Sequence, residues 1–166
     1  HVKKKEMADG KDLGFVGQID HVDSEIIKNI LDRDYVPIIC PIGYDDEYLP
    51  YNINADDAAY SVATSLKAAK LAFLTDVEGL YSDFNDKSTL ISEIRIDDAK
   101  ALLQSGDIKG GMIPKLTNCI SAIEKGVSRV HILDGRIPHS LLLEIFTNKG
   151  VGTAIIGNNE EKFMKD

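Results

Sequence analysis

The segment Tyr51-Asn52-Ile53-Asn54-Ala55-Asp56 sets two amides and a carboxylate where the end of a strand reads straight into a helix over 57–70. Side chains alternate with period two along an extended chain, so Asn52 and Asn54 share a face. A junction of this kind aims polar side chains and helix-terminal N–H groups at one point, which suits an anionic ligand. Two readings are open. In the first, Asn54 caps the helix and Asp56 and Asp57 occupy its first turn, where the dipole favours carboxylates. In the second, Asn52 is a substrate ligand and Asp56 organises cationic groups.

Two further segments carry candidate chemistry. In Leu74-Thr75-Asp76-Val77-Glu78-Gly79-Leu80-Tyr81 a buried strand ends in Thr-Asp and turns at a glycine. Ligands gather at the carboxyl ends of strands in open parallel sheets, but Asp76 also suits an Asx turn. In Lys109-Gly110-Gly111-Met112-Ile113-Pro114-Lys115 paired glycines precede a helix that Pro114 can open. Backbone N–H groups there can approach a phosphate closely. Lys115 would stand in the first turn against the helix dipole, and an anion between them would relieve the conflict. A plain helix start is the alternative, since the spacing is not that of a Walker A loop. His21, His131 and His139 have no metal-ligand spacing, and His131 interrupts an apolar strand either as a satisfied core residue or as a ligand. No serine sits in a nucleophile elbow and neither cysteine has an evident histidine partner.

These residues need a scaffold, and the pattern supplies one. Apolar runs over 13–19, 36–40, 71–75, 130–133 and 153–156 read as strands, and those near Ile38, Leu71 and Val130 lack polar alternation, as in strands covered on both faces. Helical patterns cover 24–32, 57–70, 97–104, 114–125 and 139–146. Asp23 or Ser24 caps the first, Pro114 and Pro138 open two others, and Gly126 stops the fourth. Alternation of strands and helices predicts an α/β fold with a mostly parallel sheet and helices on both faces. The polar stretch 82–88 predicts an antiparallel hairpin or excursion between Gly79-Leu80-Tyr81 and 89–94.

The 166 residues suffice for one sizeable core or two small lobes. With 19 bases against 27 acids, the net charge of −8 argues against nucleic acid as the main partner. Lys3-Lys4-Lys5 is too short to alter that and reads as a frayed, solvated terminus. Cys40 and Cys119 read as buried free thiols in a reducing compartment. No stretch approaches the ~20 apolar residues of a membrane span and no signal peptide is visible, so the expected location is cytoplasmic. The opening at His1 reads as a cut end.

Taken in order, several stretches resemble the N-acetylglutamate kinases of the amino-acid kinase superfamily, over nearly the whole chain. They are Leu13-Gly14-Phe15-Val16-Gly17, Val36-Pro37-Ile38 through Pro41-Ile42-Gly43, Asn52-Ile53-Asn54-Ala55-Asp56, the run from Leu74 to Tyr81, Gly111-Met112-Ile113-Pro114-Lys115, and Glu144-Ile145-Phe146-Thr147 with Gly150-Val151-Gly152-Thr153. The resemblance implies a three-layer αβα sandwich, carbamate-kinase-like and truncated at its N-terminus. Residues 1–70 would end the amino-acid-binding lobe, 71–157 would form the nucleotide-binding lobe, and 158–166 a tail.

It further implies phosphoryl transfer from ATP, with Mg²⁺ carried by the nucleotide and no protein metal site, to the side-chain carboxylate of N-acetyl-L-glutamate in arginine biosynthesis. Asn52 would hold the substrate's α-carboxylate region, Asp56 would orient catalytic lysines, and Lys115 would stabilise charge on the transferring group. Thr75, Asp76, Val77, Glu78, Gly79, Leu80 and Tyr81 would line the nucleotide pocket with Asp107, Ile108, Lys109, Gly111 and Met112. His131, Glu144 and Gly150 match residues of arginine-inhibited members, which implies arginine as a feedback inhibitor. Family members usually form homo-oligomers. Their early strand, lysine-bearing glycine loop, second Gly-rich loop and substrate arginine do not precede His1, so the chain reads as a carboxyl-terminal portion without turnover of its own. Its uncovered apolar surface is expected to drive self-association. The alternatives are a kinase of acetylaminoadipate or another acidic amino acid, and a non-catalytic nucleotide- or amino-acid-binding regulatory module.

Overall fold

The computed structural model describes residues 1–7, 10, 12–83, 86–108, 110–147 and 150–160. The chain divides into two compact units, His1–Leu66 and Lys67–Asp166. No helix among the described residues is long and apolar enough to cross a membrane.

In the first unit, strands β1 (Val2–Glu6), β2 (Asp12–Ile19), β3 (Ile42–Tyr44) and β4 (Pro50–Asn52) form one sheet in the order β1-β2-β4-β3. The β2/β4 pair is parallel, and β1/β2 and β3/β4 are antiparallel. Helix α1 (Ser24–Leu31) starts where the Asp23 carboxylate accepts the Glu25 N–H at 3.1 Å, as the sequence predicts. Helix α2 (Ala55–Leu66) follows β4. Val2, Tyr51 and Ile53 form a buried cluster, with Ile19 and Ala58 packed against it.

Four expectations fail in or next to this unit. Lys3-Lys4-Lys5 is not frayed: it lies in β1, where Lys3 pairs with Asp20 at 2.6 Å and Lys4 with Asp12 at 2.8 Å across the ladder. The segment 36–40 is coil, with Val36 and Ile38 87% and 95% exposed. An apolar run becomes a strand only beside a ladder partner; none lies alongside among the described residues, and Pro37 and Pro41 bring no N–H donor. Cys40, on that coil, is exposed, whereas Cys119 is buried as expected. The helix expected over 57–70 ends at Leu66, because Lys67 turns left-handed (φ 50) and Lys70 already belongs to the next strand.

In the second unit, β5 (Lys70–Thr75), β8 (Glu93–Arg95), β9 (Arg129–Asp134) and β10 (Thr153–Ile156) pair in the order β5-β9-β10-β8. The β5/β9 and β10/β8 pairs are parallel and β9/β10 antiparallel. Every residue of β9 and β10 is buried, the mark of central strands covered on both faces. The expected hairpin is present as β6 (Leu80–Tyr81) against β7 (Leu90–Ile91).

Directly paired residues share a face of a sheet, so Phe73, Ile132 and Thr153 form one row across β5, β9 and β10. Helix α4 (Met112–Glu124) packs on that face with α3 (Ile96–Ser105) beside it, joined by the Lys100–Glu124 ion pair at 2.7 Å. Helix α5 (Ser140–Phe146) meets the opposite face through His131. Two helix starts differ from expectation. Pro114 is the third residue of α4 and Pro138 lies outside α5, where His139 turns left-handed (φ 61) before the first helical residue. Residues at the start of the expected tail are tied down: Asn158 donates to Asp97 at 2.7 Å, and the Arg95 guanidinium donates to the Asn158 carbonyl.

Candidate active site

At the β4–α2 junction, Tyr51 and Ile53 are buried and leave Asn52 and Asn54 exposed, as strict alternation requires. The Asn54 side chain accepts the N–H groups of Asp56 (2.9 Å) and Asp57 (3.1 Å). Capping thus occupies Asn54, while Asp56 sits half-buried in the first turn of α2.

In the second unit the parallel register aligns Thr75 with Asp134, so the carboxyl ends of β5 and β9 coincide. The Gly135 N–H donates to the Thr75 carbonyl at 2.8 Å and closes this edge. The Thr75 hydroxyl donates to the Val77 carbonyl (2.9 Å) and accepts the Val77 N–H (3.0 Å), which bends the chain and leaves Asp76 exposed. Glu78 accepts from the Tyr81 hydroxyl and from Lys87 at 3.0 Å. The Tyr81 bond, then Lys87, holds the Glu78 carboxyl below the usual carboxylate range. Burial, followed by the Glu78 bond, pushes the Tyr81 phenol up to about 12.

Sequence reasoning passed over Asp134 and Arg136 at the same edge. The Asp134 carboxylate, 4% exposed, accepts Arg136 Nε at 2.9 Å and Nη2 at 2.8 Å, together with the Arg136 backbone N–H at 2.9 Å. That guanidinium pulls the Asp134 carboxyl down to about 2. The signal was available, since Asp134-Gly135-Arg136 follows a buried strand just as Asp76 follows Thr75.

Lys115 is the fourth residue of α4, half-buried, with its ammonium 5.1 Å from the centroid of the Phe73 ring. A cation over an aromatic face is stabilised by about 0.5–1 kcal/mol or more, so the lysine's place near a helix start does not demand an anion. Gly111 caps the helix in a right-handed conformation (φ −66) and Met112 is its first residue. Asp107, exposed, accepts the Ser105 hydroxyl at 2.7 Å, and Ile108 is half-buried; both lie in the connection that leads from α3 to α4. Lys109 lies outside the described residues.

A buried carboxylate gathers the residues expected to bind an inhibitor. His131 Nδ1 lies 2.8 Å from Glu144 Oε1, and Glu144 Oε2 accepts the N–H groups of Val151 (2.7 Å) and Gly152 (3.3 Å). Gly150, left-handed at φ 56, delivers the chain to those two amides. Burial raises the Glu144 pKa, but the His131 bond and the two amides outweigh it, so the carboxyl stays below its ordinary range. His131 Nε2 is buried and has no hydrogen-bond partner among the described residues, which a purely structural histidine seldom shows. The charged Glu144 is already engaged at both oxygens.

The sequence profile of the amino acid kinase family matches residues 2–134. The chain belongs to the amino acid kinase family. The acetylglutamate kinase of Campylobacter jejuni subsp. doylei is 55% identical over 154 residues, which are 93% of this chain and 53% of that protein. The acetylglutamate kinase of Caldanaerobacter subterraneus subsp. tengcongensis is 53% identical over 152 residues, 92% of this chain and 50% of that protein. The chain therefore spans about half the length of the curated relatives it matches. Among solved structures, N-acetylglutamate synthase from Neisseria gonorrhoeae with coenzyme A and L-arginine superposes with a TM-score of 0.85 at 31% identity, over 93% of this chain and 35% of that one. Carbamate kinase from Giardia lamblia bound to AMP-PNP shares the fold at 22% identity and a TM-score of 0.65, over 86% of this chain and 47% of that one. The α/β, carbamate-kinase-like architecture of this member of the amino acid kinase family is thus the expected one.

Proposed function

We propose that the protein carrying this chain transfers the terminal phosphoryl group of ATP to the side-chain carboxylate of N-acetyl-L-glutamate. The observation that carries the reading is the 55% identity, across 93% of the chain, to an acetylglutamate kinase. The geometry is compatible with it: a lysine on α4 and the turn 75–81 belong to one face and edge of a single sheet.

In this reading residues 71–157 hold the nucleotide and 1–70 complete the amino-acid-binding part. Glu78 and Asp76 offer acceptors to ribose hydroxyls, and the half-buried Lys115 ammonium neutralises charge on the equatorial oxygens during transfer. Asn52 contacts the substrate's α-carboxylate region and Asp56 orients lysine ammonium groups. ATP supplies the phosphoryl group. Mg²⁺ is assigned to the nucleotide phosphates, whose hard oxygens suit it.

Arginine is proposed as the inhibitor at His131, Glu144 and Gly150. The orphaned His131 Nε2 favours a ligand there, and arginine's cationic end would pair with Glu144 at the cost of bonds Glu144 now makes. Homo-oligomers and a cytoplasmic location complete the proposal. The test is ADP formation by the intact protein with N-acetyl-L-glutamate and with acetylaminoadipate, each with and without arginine. Turnover on the former, suppressed by arginine, is expected. Preference for the longer substrate would transfer the assignment to that kinase, and nucleotide binding without turnover on either would favour a regulatory module.

A further inference from the structure

Thr153 has a buried hydroxyl whose two bonds serve neither β10 nor its neighbours in the sheet. The residue is 0% exposed, accepts the Leu80 N–H at 2.8 Å and donates to the Ile91 carbonyl at 2.6 Å. Those partners face each other across the open end of the β6/β7 pair, since Leu80 is paired with Ile91. One hydroxyl therefore staples both strands of the hairpin to the start of β10.

The approach is close enough to constrain the turn's own sequence. A Cβ added at Gly79 would run into the Thr153 hydroxyl and come within 3.1 Å of the Thr153 backbone nitrogen. Any side chain at Gly79 would have to push the turn off the strand. Thr153 is itself fixed from behind, because the preceding amides of Val151 and Gly152 are held by the Glu144 carboxylate. It also stands in the row Phe73–Ile132–Thr153, the row on which Lys115 rests.

We infer that Thr153 is a positioning residue for nucleotide binding: it touches no substrate, but its hydroxyl sets the place of the turn from Thr75 to Tyr81 relative to Lys115. This rests on the assignment of that turn to the nucleotide. A valine at 153 keeps the volume and removes the hydroxyl, stranding the Leu80 N–H and the Ile91 carbonyl in a buried place; a serine restores both bonds.

The experiment compares the intact protein with its Thr153→Val and Thr153→Ser variants by hydrogen exchange of the Leu80 amide and by titration with ATP. Loss of the two buried hydrogen bonds of the Thr153 hydroxyl is expected to speed Leu80 exchange and to weaken ATP binding each by at least about tenfold in Thr153→Val. Amides of β9 should remain protected, affinity for N-acetyl-L-glutamate should hold, and Thr153→Ser should recover both readouts. Unchanged Leu80 exchange in Thr153→Val would overturn the tether. Faster exchange with unchanged ATP affinity would also overturn the inference, and would locate the failure in the assignment of the turn. General loosening that includes β9, unrepaired by serine, would make Thr153 a packing residue only.

Discussion

Replacing Lys115 by methionine separates catalysis from packing, because the two roles differ in size. The side chain is half-buried with its ammonium 5.1 Å from the Phe73 ring centroid. Methionine keeps an apolar stem on the ring and removes the charge, so the structural loss includes the cation–π attraction, about 0.5–1 kcal/mol. A loss of that size lowers Tm by about 1–4 °C in a domain of 150–250 residues. A charge aimed at a developing anion contributes far more, since removing one such donor typically lowers kcat by about 10²–10³. In the intact protein, Lys115→Met should therefore lower kcat by at least two orders of magnitude while leaving KM for ATP within a few-fold and the fold intact. Initial rates of ADP release at saturating substrates, with thermal unfolding of the same preparations, read both quantities. Near-normal kcat in a folded variant would refute the role. A rate loss that tracks the unfolded fraction at the assay temperature would refute it as well, and would leave Lys115 as a cover for Phe73.

Asp134 gives a pH test with a fixed sign. Its carboxyl titrates at about 2 in the fold because of Arg136, against ~4 for an aspartate in an unfolded chain. A depressed folded pKa contributes stability that is in place above ~4 and drains away as pH falls towards about 2. The gap in urea midpoint between the intact protein and Asp134→Asn should narrow over that window, and a gap unchanged at its acid end would remove the assigned cause. The first unit gives a test of surface. Ile38 is 95% exposed beside an apolar groove of about 390 Å³ lined in part by Ile27, Ile30, Ile42 and Ile53. The 166-residue chain should self-associate in sedimentation, and Ile38→Asp should reduce association without loss of helical signal; a monomeric parent at high concentration would contradict this.

The sequence was most legible where a residue's partners lie close along the chain. Asp23 and Asn54 cap helices through amides two or three residues away, and both were visible as caps. The runs of β9 and β10 were legible for a related reason, since an uninterrupted apolar strand states its own need for cover on both faces. The stretch 36–40 states the same need, yet it lies exposed. Composition reports what a segment would bury and is silent on what is there to bury it. The end of α2 was misplaced because Lys67-Ala68-Ala69 continues a good helix-forming pattern, and only the left-handed Lys67 and the pairing of Lys70 with Arg129 show where the chain turns.

The candidate site divides along the same line. Thr75 and Asp76 could be read from their place at a strand end, whereas Thr153 could not, because its partner Leu80 is 73 residues away. Nothing in the local pattern of a buried threonine distinguishes a core residue from a staple. Pairing supplies the difference: once β5, β9 and β10 are in register, Phe73, Ile132 and Thr153 fall into one row. Lys115 and the Gly79–Leu80 turn, unrelated in sequence, then rest on the two ends of that row. A shift of β10 by one residue would turn Thr153 to the opposite face and leave the turn without its anchor. The geometry of the proposed nucleotide edge therefore depends on sheet register as much as on the residues that would meet the nucleotide.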